Sequence, residues 1–494
     1  MAFFRFRAAP HPRATALPLG ACLIPLFAAA QSLAHAQLAG GEPIWLAPQI
    51  VTGQSENATL GLTVATADVN GDGYDDVVTS KYIYSGGSGS ASGSVVVVYY
   101  GSADGPQLPG QEIVNPLGAN TFSYFGERVA SVGDVNGDGY ADVMVNDERG
   151  GSSDPNTFFY RGTAYLYLGS AQGLESTPAA TLVGDDVDGG AFGSRMASAG
   201  DVNGDGYDDV LVTENSHNPQ QDECVFVYYG STTGLHENTR TRLTMHTQTA
   251  IYGSGAASAG DVNGDGYDDV VIGAPGYGTS GRGAAFIYAG SAQGVATTPM
   301  TTLSGDQPGG SFGYAAIGVG DMNGDGYDDV MISSDCEATA SVSCEFLSFP
   351  GAAWVFDGGQ NGVSTQARAK FTKLSDDGTA ANFGWQLERA GDVNGDGVPD
   401  VAISAAAYNG AGAVLVYLGP LTSTSQPAYT LSEADAGGFY AFGFAMGDVN
   451  GDGRRDPVVG AAFYSSPTVP GDGAVFVYRS RISDEIFKNG FEPD

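Results

Sequence analysis

The chain has 494 residues, 75 of them Gly and only 15% charged, which describes turns and short strands rather than long helices. Its formal net charge is −36, and phosphate binding needs basic patches, so nucleic acid is excluded as a partner class. Four cysteines and five histidines stand in no zinc-ligand or nucleophile–base spacing, and there is no G-x-S-x-G run.

In chain order, residues 1–36 read as a signal peptide. Arg5, Arg7 and Arg13 form the basic region, Leu17 to Ala30 the apolar stretch, and Ala34-His35-Ala36 the cleavage site. Leu19-Gly20-Ala21-Cys22 loosely resembles a lipoprotein box, the alternative to cleavage after Ala36, but the residues that follow stay apolar. Cleavage would take the charge to −39. No later segment holds 18 apolar residues, so no membrane span is expected, and the mature chain reads as secreted, extracellular or on the cell surface. Of the remaining cysteines, Cys336 and Cys344 close a short loop and could pair in an oxidising compartment, while Cys224 reads as a half-buried strand residue.

A nine-residue pattern, D-x-N-x-D-G-x-x-D, recurs seven times between residues 44 and 480. Its candidate ligands are Asp68, Asn70, Asp72, Tyr74 and Asp76 in the first copy, then Asp134, Asn136, Asp138, Tyr140 and Asp142. The third and fourth are Asp201, Asn203, Asp205, Tyr207, Asp209 and Asp261, Asn263, Asp265, Tyr267, Asp269. The fifth is Asp321, Asn323, Asp325, Tyr327, Asp329, and the sixth Asp392, Asn394, Asp396, Val398, Asp400. The seventh is Asp448, Asn450, Asp452, Arg454, Asp456. Position 7 varies, as suits a residue donating its backbone carbonyl. Positions 4 and 6 are always Gly, where a tight turn needs φ > 0. Three carboxylates, an amide oxygen and a carbonyl form a hard, all-oxygen donor set that predicts Ca2+, up to seven ions. An EF-hand would need an acid at position 12, which is here Thr79, Val145, Val212, Ile272, Ile332, Ile403 or Val459. Those strand-formers predict that a β-strand leaves each loop.

An aromatic–Gly pair precedes each loop: Phe125-Gly126, Phe192-Gly193, Tyr252-Gly253, Phe312-Gly313, Phe383-Gly384 and Phe442-Gly443, with Leu60-Gly61 in the first copy. After the loop come a β-rich run, a variable segment, an aromatic strand such as Ala284 to Tyr288, and a fourth strand such as Ala180 to Val183. Four strands per unit at a period near 60 predict an all-β, seven-bladed β-propeller of four-stranded antiparallel blades.

The Phe-Gly pair, the D-x-N-x-D-G-x-x-D loop, Gly273-Ala274-Pro275 and the following aromatic strand resemble FG-GAP repeats, the unit of the propeller at the N-terminus of integrin α subunits. The resemblance spans residues 44–480. It implies that calcium loops join the first two strands of each blade on the lower face. Gly-Ala-Pro is complete in one unit only, Ser404-Ala405-Ala406 and Gly460-Ala461-Ala462 standing elsewhere. The last unit lacks a fourth strand, and Ile44 to Val51 is expected to supply it and close the ring. The tail, residues 481–494, resembles a short ending seen on secreted proteins of Gram-negative bacteria. The expected function is adhesion to, or recognition of, an extracellular protein or glycan by a monomer whose Ca2+ is structural. A lectin is the first alternative and a propeller-based lyase or hydrolase the second. Lys81, Tyr82, Arg161 and Tyr277, with Phe158 to Tyr160, are candidate anchors on the loops between second and third strands.

Overall fold

The structure is a computed structural model. It describes residues 44–480 except 57, 85–90, 119–123, 149–160, 186–189, 216–221, 246–250, 279, 337–349, 377 and 434–439, and the side chains of 83, 84, 91 and 92. The expected signal peptide and the C-terminal tail lie outside the described residues.

Seven four-stranded antiparallel sheets follow one another in chain order. Blade 1 contains strands Leu60–Ala67, Asp76–Tyr84, Ala91–Tyr99 and Gln111–Val114, each paired with the next. The same plan holds through blade 6. Blade 7 is built from Tyr440–Gly447, Asp456–Ala461 and Ala474–Val477, and its outermost strand is Gln49–Thr52 from the start of the propeller. Val51 pairs with Val475 and Thr52 with Ala474, so the N-terminal strand closes the ring and removes two open edges. The first strands of successive blades touch all the way round, the seventh against the first, and therefore line the axis.

Burial explains which runs became which strand. The second and third strands are continuously buried, as in Asp269–Ala274 and Ala284–Tyr288, because neighbouring blades cover both faces. Fourth strands alternate, as in Ala180–Val183, because one face meets solvent. The apolar interior is accordingly seven separate clusters, each sandwiched between two blades. Val78, Val96 and Ile113 of blade 1 pack with Phe125, Val145 and Tyr165 of blade 2. The aromatic of each aromatic–Gly pair fills such a seam, with Phe312 edge-on to Trp354 at 5.1 Å between centroids and Phe125 to Tyr165 at 5.9 Å. The seam between blades 7 and 1, where Leu60 replaces the aromatic, is almost wholly aliphatic.

One register differs from the sequence reading. Tyr440 pairs with Ala461 as Phe383 pairs with Ala405, so the seventh aromatic–Gly position is Tyr440-Ala441 and not Phe442-Gly443. Ala441 has φ 62, where the other blades use Gly; Tyr440 is fully buried and Phe442 turns toward the axis. Two aromatics two residues apart made the sequence ambiguous, and only the strand pairing separates them.

The loops also fasten blade to blade. An added Cβ on Gly71, Gly137, Gly204, Gly264 or Gly451 would come within 2.7 Å of a ring carbon of the position-7 tyrosine of the following loop. Position 7 is thus not indifferent to side chain: where it is Tyr, the ring lies on the preceding loop's first glycine. Position 8, which the repeat pattern left open, forms a second latch. Asp268 Oδ2 accepts from Asp201 N at 2.9 Å while its own amide donates to Asp201 O at 3.3 Å. Asp208 does the same to Asp134, Asp328 to Asp261 and Asp75 to Asp448, the last across the ring closure. Ala141, Pro399 and Arg455 occupy the position in the other three loops.

Replacing Gly264 by Ala should cost more than replacing Gly324 by Ala. Both glycines have φ +76, so both pay roughly 1–2 kcal/mol for a left-handed L-residue. Only the first meets a tyrosine ring, Tyr327, adding about 1–3 kcal/mol of overpacking. Denaturant midpoints of the two variants measure the difference, and equal midpoints would mean the ring contact contributes nothing.

Candidate functional site

Each repeat loop is a knot of Asx turns. In the fourth, Asp261 Oδ1 accepts from Gly264 N at 2.7 Å and Asp265 N at 3.1 Å, and its Oδ2 from Gly266 N at 2.9 Å. Asp265 Oδ1 accepts from Tyr267 N at 3.2 Å. The position-9 carboxylate has a different task. Asp269 is fully buried, with Oδ2 accepting from Val262 N at 3.1 Å and Oδ1 from Gly290 N, past the end of the third strand, at 2.9 Å. Its equivalents take the corresponding two amides in the first, second, third, fifth and sixth loops. In the seventh, Asp456 accepts from Ser480 N, and its Oδ2 is buried with no hydrogen-bond partner.

Among the described residues, no three His, Cys, Asp or Glu side chains converge in ion-holding geometry, since the carboxylates are turned onto their own loop amides. The donors are nevertheless the right kind for a hard cation. Burial first, and then Asp72 and Asp68, push Asp76 up to about 7, so the three acids of a loop feel one another. The orphaned Asp456 Oδ2 is a further acceptor in want of a positive partner. In the fifth loop a guanidinium pairs directly with the position-9 carboxylate: Arg368 Nη1 lies 3.1 Å from Asp329 Oδ2 and 2.7 Å from Asp357 Oδ1.

The loops between second and third strands hold fewer free anchors than the sequence suggested. Tyr82 is 2% exposed and donates its hydroxyl to Tyr124 O at 3.2 Å, so it is a core residue and not a surface contact. Lys81 pairs with Glu112 at 3.2 Å, and Arg161 Nε donates to Gly184 O at 2.8 Å. Tyr277 stands edge-on to Phe286 at 5.3 Å. Phe158, Phe159 and Tyr160 lie outside the described residues, as do His217, His246 and Cys344. Cys336 is disulfide-bonded. Cys224 is fully buried, and burial with Glu214 beside it pushes its thiol up to about 12, which makes it inert.

A site the sequence reading missed lies on the axis, where the first strands enclose a cavity of about 310 Å³. Its lining is a run of two to four residues per blade that begins one or two positions after each aromatic–Gly position, and the first residue of each run varies from blade to blade. Blades 2 and 3 supply Arg128 and Arg195, and blades 5, 6 and 7 supply Tyr314, Trp385 and Phe442. The three rings form a continuous wall, Tyr314 to Trp385 at 5.2 Å and Trp385 to Phe442 at 4.8 Å. Glu388 also lines the cavity, and burial pushes it up to about 7 against the pull of Gln386, Arg455 and Arg389. Arg389 bonds to the first strands of the two preceding blades, donating from Nε to Gly318 O at 2.6 Å and from Nη2 to Ser258 O at 3.3 Å. The signal was present: these positions vary strongly between copies whose flanks are constant.

The FG-GAP repeat family model matches residues 125–167, 192–222, 253–288 and 383–417, and an FG-GAP-like repeat model matches 68–145. The chain carries FG-GAP repeats. Its propeller is similar to Integrin alpha pat-2 of Caenorhabditis briggsae, 26% identical over 276 residues, which is 53% of this chain and 21% of that protein. It is similar to human Integrin alpha-IIb, 31% identical over 162 residues, 32% of this chain and 15% of that one. Bovine phosphatidylinositol-glycan-specific phospholipase D is 35% identical over 167 residues, 32% of the FG-GAP chain and 19% of the enzyme. The chain thus spans about a fifth of the length of these curated relatives. Among solved structures, the rhamnogalacturonan lyase YesW overlaps 89% of this chain and 76% of its own, at 14% identity and TM-score 0.44. No helix among the described residues is long and apolar enough to cross a membrane.

Glu388 generates a pH prediction. Its folded pKa, about 7, lies above the ordinary 4.5, so the penalty for ionising it in place is absent at low pH. Stability should therefore fall as pH rises from about 4.5 to 7, by up to roughly 3 kcal/mol at 1.36 kcal/mol per pKa unit. Glu388→Gln should be least stabilising relative to the parent near pH 4.5 and most above pH 7. Melting curves of both proteins across that window read the difference, and a constant offset would exclude the raised pKa.

Proposed function

We propose that this chain is a secreted, monomeric, calcium-stabilised propeller that mediates adhesion to, or recognition of, an extracellular protein or glycan. The observation that carries the proposal is the contrast between a sevenfold scaffold and an unsymmetric axial lining, with guanidinium groups on one side and aromatic rings on the other. A shell alone needs no such difference between blades. The likeness to integrin α subunits over the repeats supports a receptor-type role. Unlike residues at the seven inner positions argue for one site and against a lectin with a similar pocket in every blade.

Calcium would be held in each loop by positions 1, 3, 5 and 9 with the position-7 carbonyl, for example Asp261, Asn263, Asp265, Asp269 and the carbonyl of Tyr267. It would supply positive charge that cross-links three mutually repelling carboxylates. The chain's own contribution is the buried position-9 aspartate, which holds the loop to its blade whether or not an ion is bound. Arg368 beside Asp329 makes the fifth loop the one expected to bind least tightly.

A second reading is favoured by one specific observation. Glu388, pushed up to about 7, shares a cavity with Tyr314 and two arginines, a combination of groups that can move a proton and stabilise an anion. A propeller-based lyase or hydrolase would use such a set, and the relationship to a phospholipase D is compatible with it.

Chelation should lower the melting temperature, since each site loaded at one hundred times its Kd adds about 2.7 kcal/mol. An unchanged melt in EGTA, with no metal retained by the protein, would refute structural calcium. Binding of the calcium-loaded protein to a combined glycan and matrix-protein array tests recognition directly. Selective hits support it; turnover of a hit in place of stable binding would move the assignment to the enzyme reading.

A further inference from the structure

We infer that the axial cavity is a binding site for a single acidic sugar unit, its carboxylate on Arg128 and Arg195 and its ring against Tyr314, Trp385 and Phe442. The inference deepens the recognition reading and rests on it.

The arginines come first. Arg195 donates from Nε to Ser254 O at 3.0 Å, which fixes the plane of the guanidinium and leaves its Nη groups with no acceptor among the described residues. Arg128 uses its backbone amide on Asn146 Oδ1, and its guanidinium likewise has no hydrogen-bond or ion-pair partner among the described residues. Two neighbouring cations half-buried in one cavity repel each other. Burial and then Arg128 pull Arg195 down to about 10, with Tyr314 and Glu127 only partly opposing. Such a pair stands ready for an anion, and the guanidinium fork matches a carboxylate in two parallel hydrogen bonds. Glu388, the acid in the same cavity, hydrogen-bonds Gln386 Nε2 at 2.9 Å, and the positive charges acting on it are those of Arg455 and Arg389. It therefore does not already neutralise the pair.

The aromatic wall decides the class of anion. A bare phosphate, or the side chain of an acidic peptide, would satisfy the arginines and leave three rings facing water. The C–H face of a sugar ring carries slight positive charge and suits the negative π face of an aromatic. Size points the same way. A cavity of about 310 Å³ is at the small end of ligand pockets and takes one ring rather than a stretch of polymer. Arg389 is hydrogen-bonded to the first strands of blades 4 and 5 and is therefore not free to pair with the bound acid. The overall charge of −36 works against an anion, but with a screening length of about 8 Å the local pair dominates inside the cavity.

The test is calorimetric titration of the calcium-loaded protein with glucuronate and galacturonate, each beside its neutral parent hexose, and with a short Glu-containing peptide. At least one uronate should bind saturably and about ten-fold or more tighter than its neutral parent. Arg195→Gln and Arg128→Gln should each weaken it by about ten-fold or more, with an unchanged calcium-dependent melt. If Arg195→Gln does not fold, Arg195→Lys keeps the charge and loses the fork, and should still weaken binding. Of the three tryptophans, Trp45 and Trp354 are 3% exposed, so ligand-induced fluorescence change should come from Trp385 and vanish in Trp385→Phe. Absence of saturable uronate binding, equal binding of the neutral hexoses, or arginine variants that bind as the parent would each overturn the inference. Binding of the acidic peptide without uronate binding would overturn it too. Array hits that survive Arg195→Gln, with uronates silent, would leave recognition standing and remove this site.

Discussion

Everything in this molecule hangs on the buried position-9 aspartate. It stands where a loop becomes a strand, and its two oxygens take amides from two places that would otherwise part. One belongs to the second residue of the loop and the other to the turn leaving the third strand. A carboxylate removed from water is costly unless hydrogen-bonded, and this one is bonded twice in nearly every blade. Burial and neighbouring acids raise its proton affinity, most in Asp456, which reaches about 8. The same residue that pins the loop is thus the one whose ionised form most needs a cation nearby.

A propeller must also solve a problem that a single sheet does not, because each blade's interior is the surface of its neighbour. The seven apolar clusters lie between blades, so no blade is stable alone. Side chains at the loop end hold the seams in register: a tyrosine at position 7 on the preceding glycine and, in four seams, an aspartate at position 8 on the preceding backbone. The aspartate latch at the seam between the last and first blades joins Asp75 to Asp448, so the closure made by the Gln49–Thr52 strand is doubled at the loop end.

Symmetry of this kind leaves function to whatever breaks it. The loop end repeats nearly the same chemistry seven times. The inner strands do not, since just after each aromatic–Gly position the blades present Leu62, Arg128, Arg195, Ser254, Tyr314, Trp385 and Phe442. On one strand such a residue is unremarked, but around an axis the seven become a wall. Of the outer aromatics that drew notice in sequence, Tyr82 proved to be buried with its hydroxyl on the backbone at the start of the next blade, and Tyr277 to pack on Phe286 of its own.

The sequence by itself determined the propeller, the strand content of each blade, the aromatic–Gly seams and the ring closure, because each rests on local chemistry repeated at fixed spacing. Seven copies average out the ambiguity of any one. Where a copy departs, local chemistry was not enough, and Tyr440-Ala441 was hidden by the adjacent Phe442-Gly443 until the pairing of Tyr440 with Ala461 set the register. Only the tertiary structure showed what positions 7 and 8 do, since their partners lie about 60 or more residues away, or 373 in the closing seam. The axial cavity was likewise beyond a linear reading, because its lining is drawn one short segment per blade from residues that meet only when the ring closes.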